Sequence, residues 1–464
     1  MPTTKRQCAT FAVLFTFLVS LAGCVTEGNG GTGTGKGAGA SGEKRPLPRP
    51  PKAGPGNIVV EGRAITGSRL SGVRMVPYRR TYTDGELYAA VTGFRSVAYG
   101  RAELEAAYDD VLNPGGSSRG SRPANVVTAI SPAVQRAAAD ALGDREGAAV
   151  AVDVRTGHIR ALVSTPSYDP STFSGNVMAD SRAWLQLMHD KHQPLRNRTR
   201  NATAPPGETF HLIVAAAALE KGLYSSVDEV THSEASYTPP GSSKAVTGDR
   251  AHCENASIRT ALHYACGNVF ARLAVEVGDV EVTSTAESFG FNDDELRIPT
   301  LLYPSNYPGG RSAGDLAAAA NGSAGVTATP VQMARVMAVI AGGGKQVYPQ
   351  LVTKVVRADG SVAPPKDLAQ HDGRRVVGQH TAEQLQSALR TSAGGVSGWV
   401  RQWDVDHGAE SVAWSVSLAS SAGGEPMAIA VYLSNPRASS DRADDVAFTE
   451  RVAERMRLAA AEVR

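Results

Sequence analysis

Gly147-Ala-Ala-Val-Ala-Val-Asp-Val-Arg-Thr-Gly-His-Ile-Arg-Ala-Leu-Val-Ser-Thr-Pro-Ser-Tyr-Asp-Pro170 is the stretch whose reading decides the fold. Ala148 to Asp153 and Ile159 to Val163 are apolar runs of strand length, and Arg155-Thr156-Gly157 between them has turn chemistry, so a β-hairpin is predicted. Just upstream, Val126 to Ile130 reads as a strand. Ser131-Pro132 then opens a helix as N-cap and first helical residue, which runs to Leu142 and stops at Gly143. Downstream, helices are predicted over 208–221, 256–265, 268–277, 330–341 and 381–390. Thr329-Pro330 and a Thr381…Gln384 capping box start the last two. Strands at Val412 to Ala419 and Met427 to Leu433 and an amphipathic helix from Asp445 to Val463 close the chain. Strands at both ends of a helical middle imply one mixed sheet whose edges come from distant segments.

Working outward, the 464 residues exceed one ordinary domain, and 42% hydrophobic content suffices for sizeable cores. Formal net charge is +2, from 47 basic and 45 acidic residues without a long basic run, which argues against a nucleic-acid partner. The four cysteines, Cys8, Cys24, Cys253 and Cys266, form no C-x-x-C pair, so neither zinc nor an iron–sulfur cofactor is expected. Residues 1–24 read as a targeting segment: Lys5 and Arg6, then the apolar stretch Ala9 to Ala22, too short to span a bilayer. It ends in Leu21-Ala22-Gly23-Cys24, which resembles a bacterial lipobox and marks Cys24 for lipidation; an ordinary signal peptide or uncleaved anchor is the competing reading. Residues 25–55, rich in Gly, Pro, Ala and Thr, have no apolar periodicity and read as a disordered tether reaching roughly 30 Å from the membrane. Order is expected from Gly56. A β-containing module spans 56–123, with short strands at Ile58 to Val60 and Ala64-Ile65, more β structure from Tyr78 to Val91, and a helix from Ala102 to Leu112. The larger domain is 124–464.

The hairpin at 147–170 closely resembles the first hairpin of penicillin-binding transpeptidases, as does Pro205-Pro206-Gly207-x-Thr-Phe before an alanine-rich helix. Val326-Thr-Ala-Thr-Pro-Val-Gln-Met333 and Ala341-Gly-Gly-Gly344 resemble the family further along. Gly56-Asn-Ile-Val-Val, Ile65-Thr-Gly-Ser68 and Arg80-Thr-Tyr-Thr-Asp-Gly85 look like the N-terminal region of actinobacterial class B penicillin-binding proteins. The resemblance covers roughly residues 56–460. It implies an α/β fold of the α+β type, with a central, mainly antiparallel sheet flanked by helices, like the serine β-lactamases, plus the small N-terminal domain.

Family chemistry is acyl transfer from a D-Ala-D-Ala carbonyl. A serine attacks, a lysine one turn on activates it, and Ser-x-Asn and Lys-Thr/Ser-Gly complete the relay and bind the substrate carboxylate. The Ser-x-x-Lys position here reads Glu208-Thr209-Phe210-His211. The Ser-x-Asn position reads Ala265-Cys266-Gly267. No lysine is followed by Ser or Thr, and the third motif is placed at Asp406-His407-Gly408, ahead of the Ala413-Trp414 strand. Ser41-Gly-Glu-Lys44, Ser174-Gly-Asn176 and Arg155-Thr156-Gly157 imitate the motifs from the tether, a loop and the hairpin turn, where none assembles a site.

Loss of such a nucleophile costs on the order of 10⁶ in turnover, because the group acts as a unit. Glu208 and His211, at i and i+3, are open to two readings. One is a new acid–base pair or half a metal site, with His252, His263 and His407 as further ligands. The other, preferred, is a carboxylate at a helix N-terminus with the histidine hydrogen-bonded to it. Thr209 is one residue out of register as a substitute nucleophile. Cys253 and Cys266, in an oxidising compartment, read as a structural disulfide, and relatives carry similar pairs; the competing idea, Cys266 as a nucleophile, needs a free thiol. The expected protein is a lipid-anchored pseudoenzyme on the outer face of the plasma membrane, acting in cell-wall biogenesis. It would bind peptidoglycan stem peptide or a wall-synthesis partner and need no cofactor; a rewired acyl transferase or hydrolase is the alternative.

Overall fold

In the hairpin β1 (Gly147–Asp153) and β2 (Ile159–Thr165), both faces of the first strand are buried, which is why its sequence is a continuous apolar run rather than an alternation. Its even residues, Ala148, Val150 and Val152, join the larger core with the helical middle of the chain. The odd ones, Ala149 and Ala151, pack in a second layer with Val134 and Ala138 of α1 (Pro132–Leu142) and with Val452 and Met456 of the C-terminal helix. The computed structural model describes residues 54–74, 76–113, 122–366, 373–391, 394–404, 408–435 and 442–462. The stretch read as a targeting segment, with Cys24, and the part of the expected tether up to residue 53 lie outside them.

Three strands from far along the chain complete the sheet: β3 (Gly395–Asp404), β4 (Gly408–Ser420) and β5 (Pro426–Asn435). The order is β3-β4-β5-β1-β2, antiparallel at every junction, so the sheet is not mixed and β3 forms its edge beside the helical layer. That layer contains α2 (His211–Glu220), α3 (Gly267–Val277), α4 (Ala313–Ala320) and α5 (Pro330–Ala341). Residues His211 to Ala218 are all buried, so α2 is a central helix apolar on every side. The opposite face is covered by α1 and α6 (Arg442–Glu462).

A second five-stranded sheet is mixed. Ile58–Val60 pairs in parallel with Asn125–Thr128, which pairs antiparallel with Val352–Val356. A buried Arg80–Glu105 ion pair of 2.5 Å ties the Val76–Tyr82 strand to the short helix Glu103–Ala107.

Several local expectations need correction. Tyr78 to Val91 is β only to Tyr82; Gly85–Thr92 is a helix because that conformation buries Tyr88, Ala89 and Val91 together. The predicted helix over 208–221 starts as a 3-10 turn, Gly207–Phe210, and becomes α-helical at His211. Thr381 does not cap its helix, which begins at Gln379; its hydroxyl donates to Glu220 instead. Ser131 takes the N-cap place with Pro132 at N1, but its side chain makes no capping bond, whereas Thr329 accepts from the Gln332 N–H at 3.2 Å.

Candidate active site

Pro205-Pro206-Gly207 delivers the chain into the 3-10 turn, and Gly207 takes φ +58, which a side chain would strain. A Cβ there would also stand 2.9 Å from the Trp399 nitrogen. On the facing strand, a Cβ at Gly398 would lie 2.8 Å from the Glu208 nitrogen and 2.8 Å from the Pro206 oxygen. Two bare backbones therefore meet here, the edge of β3 against the turn. Trp414 on β4 fastens the approach by donating its indole N–H to the Pro205 carbonyl at 2.8 Å.

The Glu208 carboxylate fills the point of contact. Its Oε2 accepts the Trp399 backbone N–H at 2.6 Å, and its Oε1 accepts from the Arg442 guanidinium, at the start of α6, at 2.8 Å. The side chain is only 12% exposed, whereas Arg442 is 53% exposed. Charge-assisted bonds from two separate elements hold this carboxylate in one place.

His211 faces elsewhere. It is fully buried, stacked on Phe270 of α3 with ring centroids 3.9 Å apart, and its Nε2 lies 3.0 Å from Asn321 Oδ1. Asn321 spends its amide N–H groups on the Ala317 and Gly267 carbonyls, so its oxygen must accept and the imidazole proton sits on Nε2. Nδ1 is buried and has no hydrogen-bond partner among the described residues. Burial, opposed by the Asn321 hydrogen bond and reinforced by the Arg442 charge, holds the imidazole pKa down at about 3. The ring is neutral at physiological pH. The expected hydrogen bond between His211 and Glu208 is replaced by these separate partners.

At the second motif, Ala265 adopts φ +53 and Cys266 is joined to Cys253, so no thiol is free to act as a nucleophile. A Cβ on Gly267 would lie 2.6 Å from Asn321 Oδ1. Asn321, at the C-terminal end of α4, thus fills the space that an asparagine at 267 would take.

The third position differs from the sequence reading. Asp406 and His407 fall outside the described residues, and Gly408 pairs with Asp404 at the far end of the β3–β4 hairpin. The strand residues that meet the turn are Val396-Ser397-Gly398. They keep the hydroxyl–glycine pair of the family's third pattern and replace its lysine with a valine that is 3% exposed in the core. Ser397 donates to Glu450 of α6 at 2.8 Å. This Ser-Gly pair, twenty-odd residues before the final strand, was the available signal; the roles of Trp399, Arg442 and Asn321 had none.

Thr209 is buried, with its hydroxyl on the Pro206 carbonyl at 2.6 Å. His252 pairs with Asp249 and stacks on Tyr264, and no three-residue metal cluster occurs among the described residues. A cleft of about 1060 Å³ opens between Tyr264-Ala265, Ser397 on β3, and Arg442 and Glu450 on α6.

The model of the penicillin-binding protein transpeptidase domain matches residues 147–454, and that of the penicillin-binding protein A dimerisation domain matches 55–135. The peptidoglycan D,D-transpeptidase PbpA of Mycolicibacterium smegmatis is 32% identical over 351 residues, covering 71% of each chain; its Mycobacterium tuberculosis H37Rv counterpart is 31% identical. The crystal structure of PBPA from M. tuberculosis superposes with TM-score 0.78 at 28% identity, covering 88% of this chain and 100% of that one. The penicillin G acyl-enzyme complex of the same protein superposes with TM-score 0.77.

Proposed function

The chain belongs to the penicillin-binding protein transpeptidase family of cell-wall biogenesis, class B, and from that premise we propose that it is a member that no longer forms an acyl-enzyme. The observation that carries this reading is the 2.6 Å bond from the Trp399 N–H to Glu208 Oε2. Acyl transfer needs a nucleophile, a base and backbone N–H groups aimed at the developing oxyanion. Here the nucleophile position holds a carboxylate, and the N–H beside it is occupied by that carboxylate. The base position holds a buried neutral imidazole bonded to Asn321, and the third motif's lysine is an apolar core residue. A relative forms the penicillin G acyl-enzyme named above; this chain lacks the groups that would do so.

The remaining function is binding: a peptidoglycan stem peptide or a wall-synthesis partner, met in the cleft beside β3. Cys24 tethers the domain by its lipid to the extracytoplasmic face of the membrane, and mass spectrometry of the protein from membranes should find a diacylglycerol on that residue. Incubation with a fluorescent penicillin tests the central claim. No adduct should survive denaturation; a stable adduct at any side chain establishes the rewired acyl transferase or hydrolase instead.

A further inference from the structure

Glu208 has a chemical identity beyond being the wrong residue for acylation. Its carboxylate is received by a backbone N–H and a guanidinium contributed by β3 and α6, whose first residues lie far apart in sequence. Such a pair is a receptor for a carboxylate. The guanidinium half is not sealed: Arg442 is 53% exposed and lines the cleft of about 1060 Å³ together with Ser397 and Ala265. Position 396, on the strand bordering that cleft, offers a valine rather than a cation. Arg457, deeper along α6, is engaged with Glu454, and Arg451 lies over Phe448. Among the described residues, Arg442 is therefore the guanidinium that both lines the cleft and bonds to the turn.

We propose that the Trp399 N–H and the Arg442 guanidinium form a carboxylate receptor occupied in cis by Glu208, and that a peptide ending in a free C-terminal carboxylate competes for it. This deepens the binding role proposed above and rests on it. An intramolecular ligand acts at a high effective concentration, so Glu208 weakens capture of an outside carboxylate without abolishing it. The cis ligand also keeps the Trp399 N–H and the Arg442 guanidinium engaged when the cleft is empty.

The test is equilibrium binding, by fluorescence anisotropy, of fluorescein-labelled Lys-D-Ala-D-Ala and of the same peptide amidated at its C-terminus. Wild-type protein should prefer the free acid by about tenfold, and Glu208→Ala should bind the acid about tenfold tighter still while leaving the amide unchanged. Glu208→Gln, which keeps the shape and an acceptor for the Trp399 N–H, should tighten binding by a smaller factor. Arg442→Gln should erase the preference for the acid. Equal binding of acid and amide by the wild type, or no gain in cooperatively melting Glu208→Ala or Glu208→Gln, overturns the receptor. A covalent penicillin adduct on the wild type would instead overturn the non-acylating reading, and the acid–amide comparison would still decide the receptor.

Discussion

Acidification should destabilise this protein through His211, and the structure sets the size of the effect. The imidazole is fully buried against Phe270, with Asn321 as its one hydrogen-bond partner among the described residues and Arg442 opposing a positive charge, and its pKa stands at about 3 against an ordinary 6.5. Below pH 6.5 the unfolded chain binds a proton at this position and the folded chain does not, so stability falls as pH drops from 6.5 toward 3. At pH 5, 1.5 units below the unfolded value, the loss is about 2 kcal/mol, since one unit is worth about 1.4 kcal/mol. Urea unfolding of wild type and His211→Gln at pH 7.5 and pH 5, followed by tryptophan fluorescence, isolates the contribution of this ring. The difference of differences cancels every other titrating group. A value below about 0.5 kcal/mol, or an imidazolium signature at pH 5 in the NMR spectrum of the folded protein, would refute the assignment of a buried neutral ring.

Three further perturbations read the same site. Gly398→Ala places a Cβ 2.8 Å from the Glu208 nitrogen and 2.9 Å from the Thr209 nitrogen, so a thermal melt should show a loss of about 1–3 kcal/mol as the strand is pushed off the turn. Asn321→Ala strands the His211 Nε2–H and empties the space beside Gly267; urea unfolding should register a cost of about 1–3 kcal/mol, and a gain in stability would contradict the hydrogen-bond assignment. The Cys253–Cys266 bond closes a loop of sequence separation 13, so the double alanine variant should lose about 2–3 kcal/mol, and reductant should lower the melting temperature of wild type but not of the variant.

Much of the scaffold is legible without coordinates, for local reasons. The hairpin around Arg155-Thr156-Gly157 and the helix capped by Thr329 declare themselves by apolar runs, turn residues and caps that act within a few positions. The β3 strand was not found, because Gly395-Val-Ser-Gly-Trp mixes small residues with apolar ones and becomes a strand by pairing with β4. Likewise, Tyr78 to Val91 carries β-favouring side chains, yet its second half buries more surface as a helix.

The covalent half of the site belongs to the sequence alone: position 208 has no hydroxyl, position 211 has no ammonium, and neither fact depends on packing. What occupies the site was decided by tertiary structure. Glu208 meets Trp399 and Arg442 across separations of 191 and 234 residues, and His211 meets Asn321 across 110. Those meetings depend on the register of an edge strand, on a left-handed glycine and on which side chain fills the space beside Gly267. Nearby residue types do not encode such relations, because they arise when distant backbones are brought within one hydrogen bond of each other.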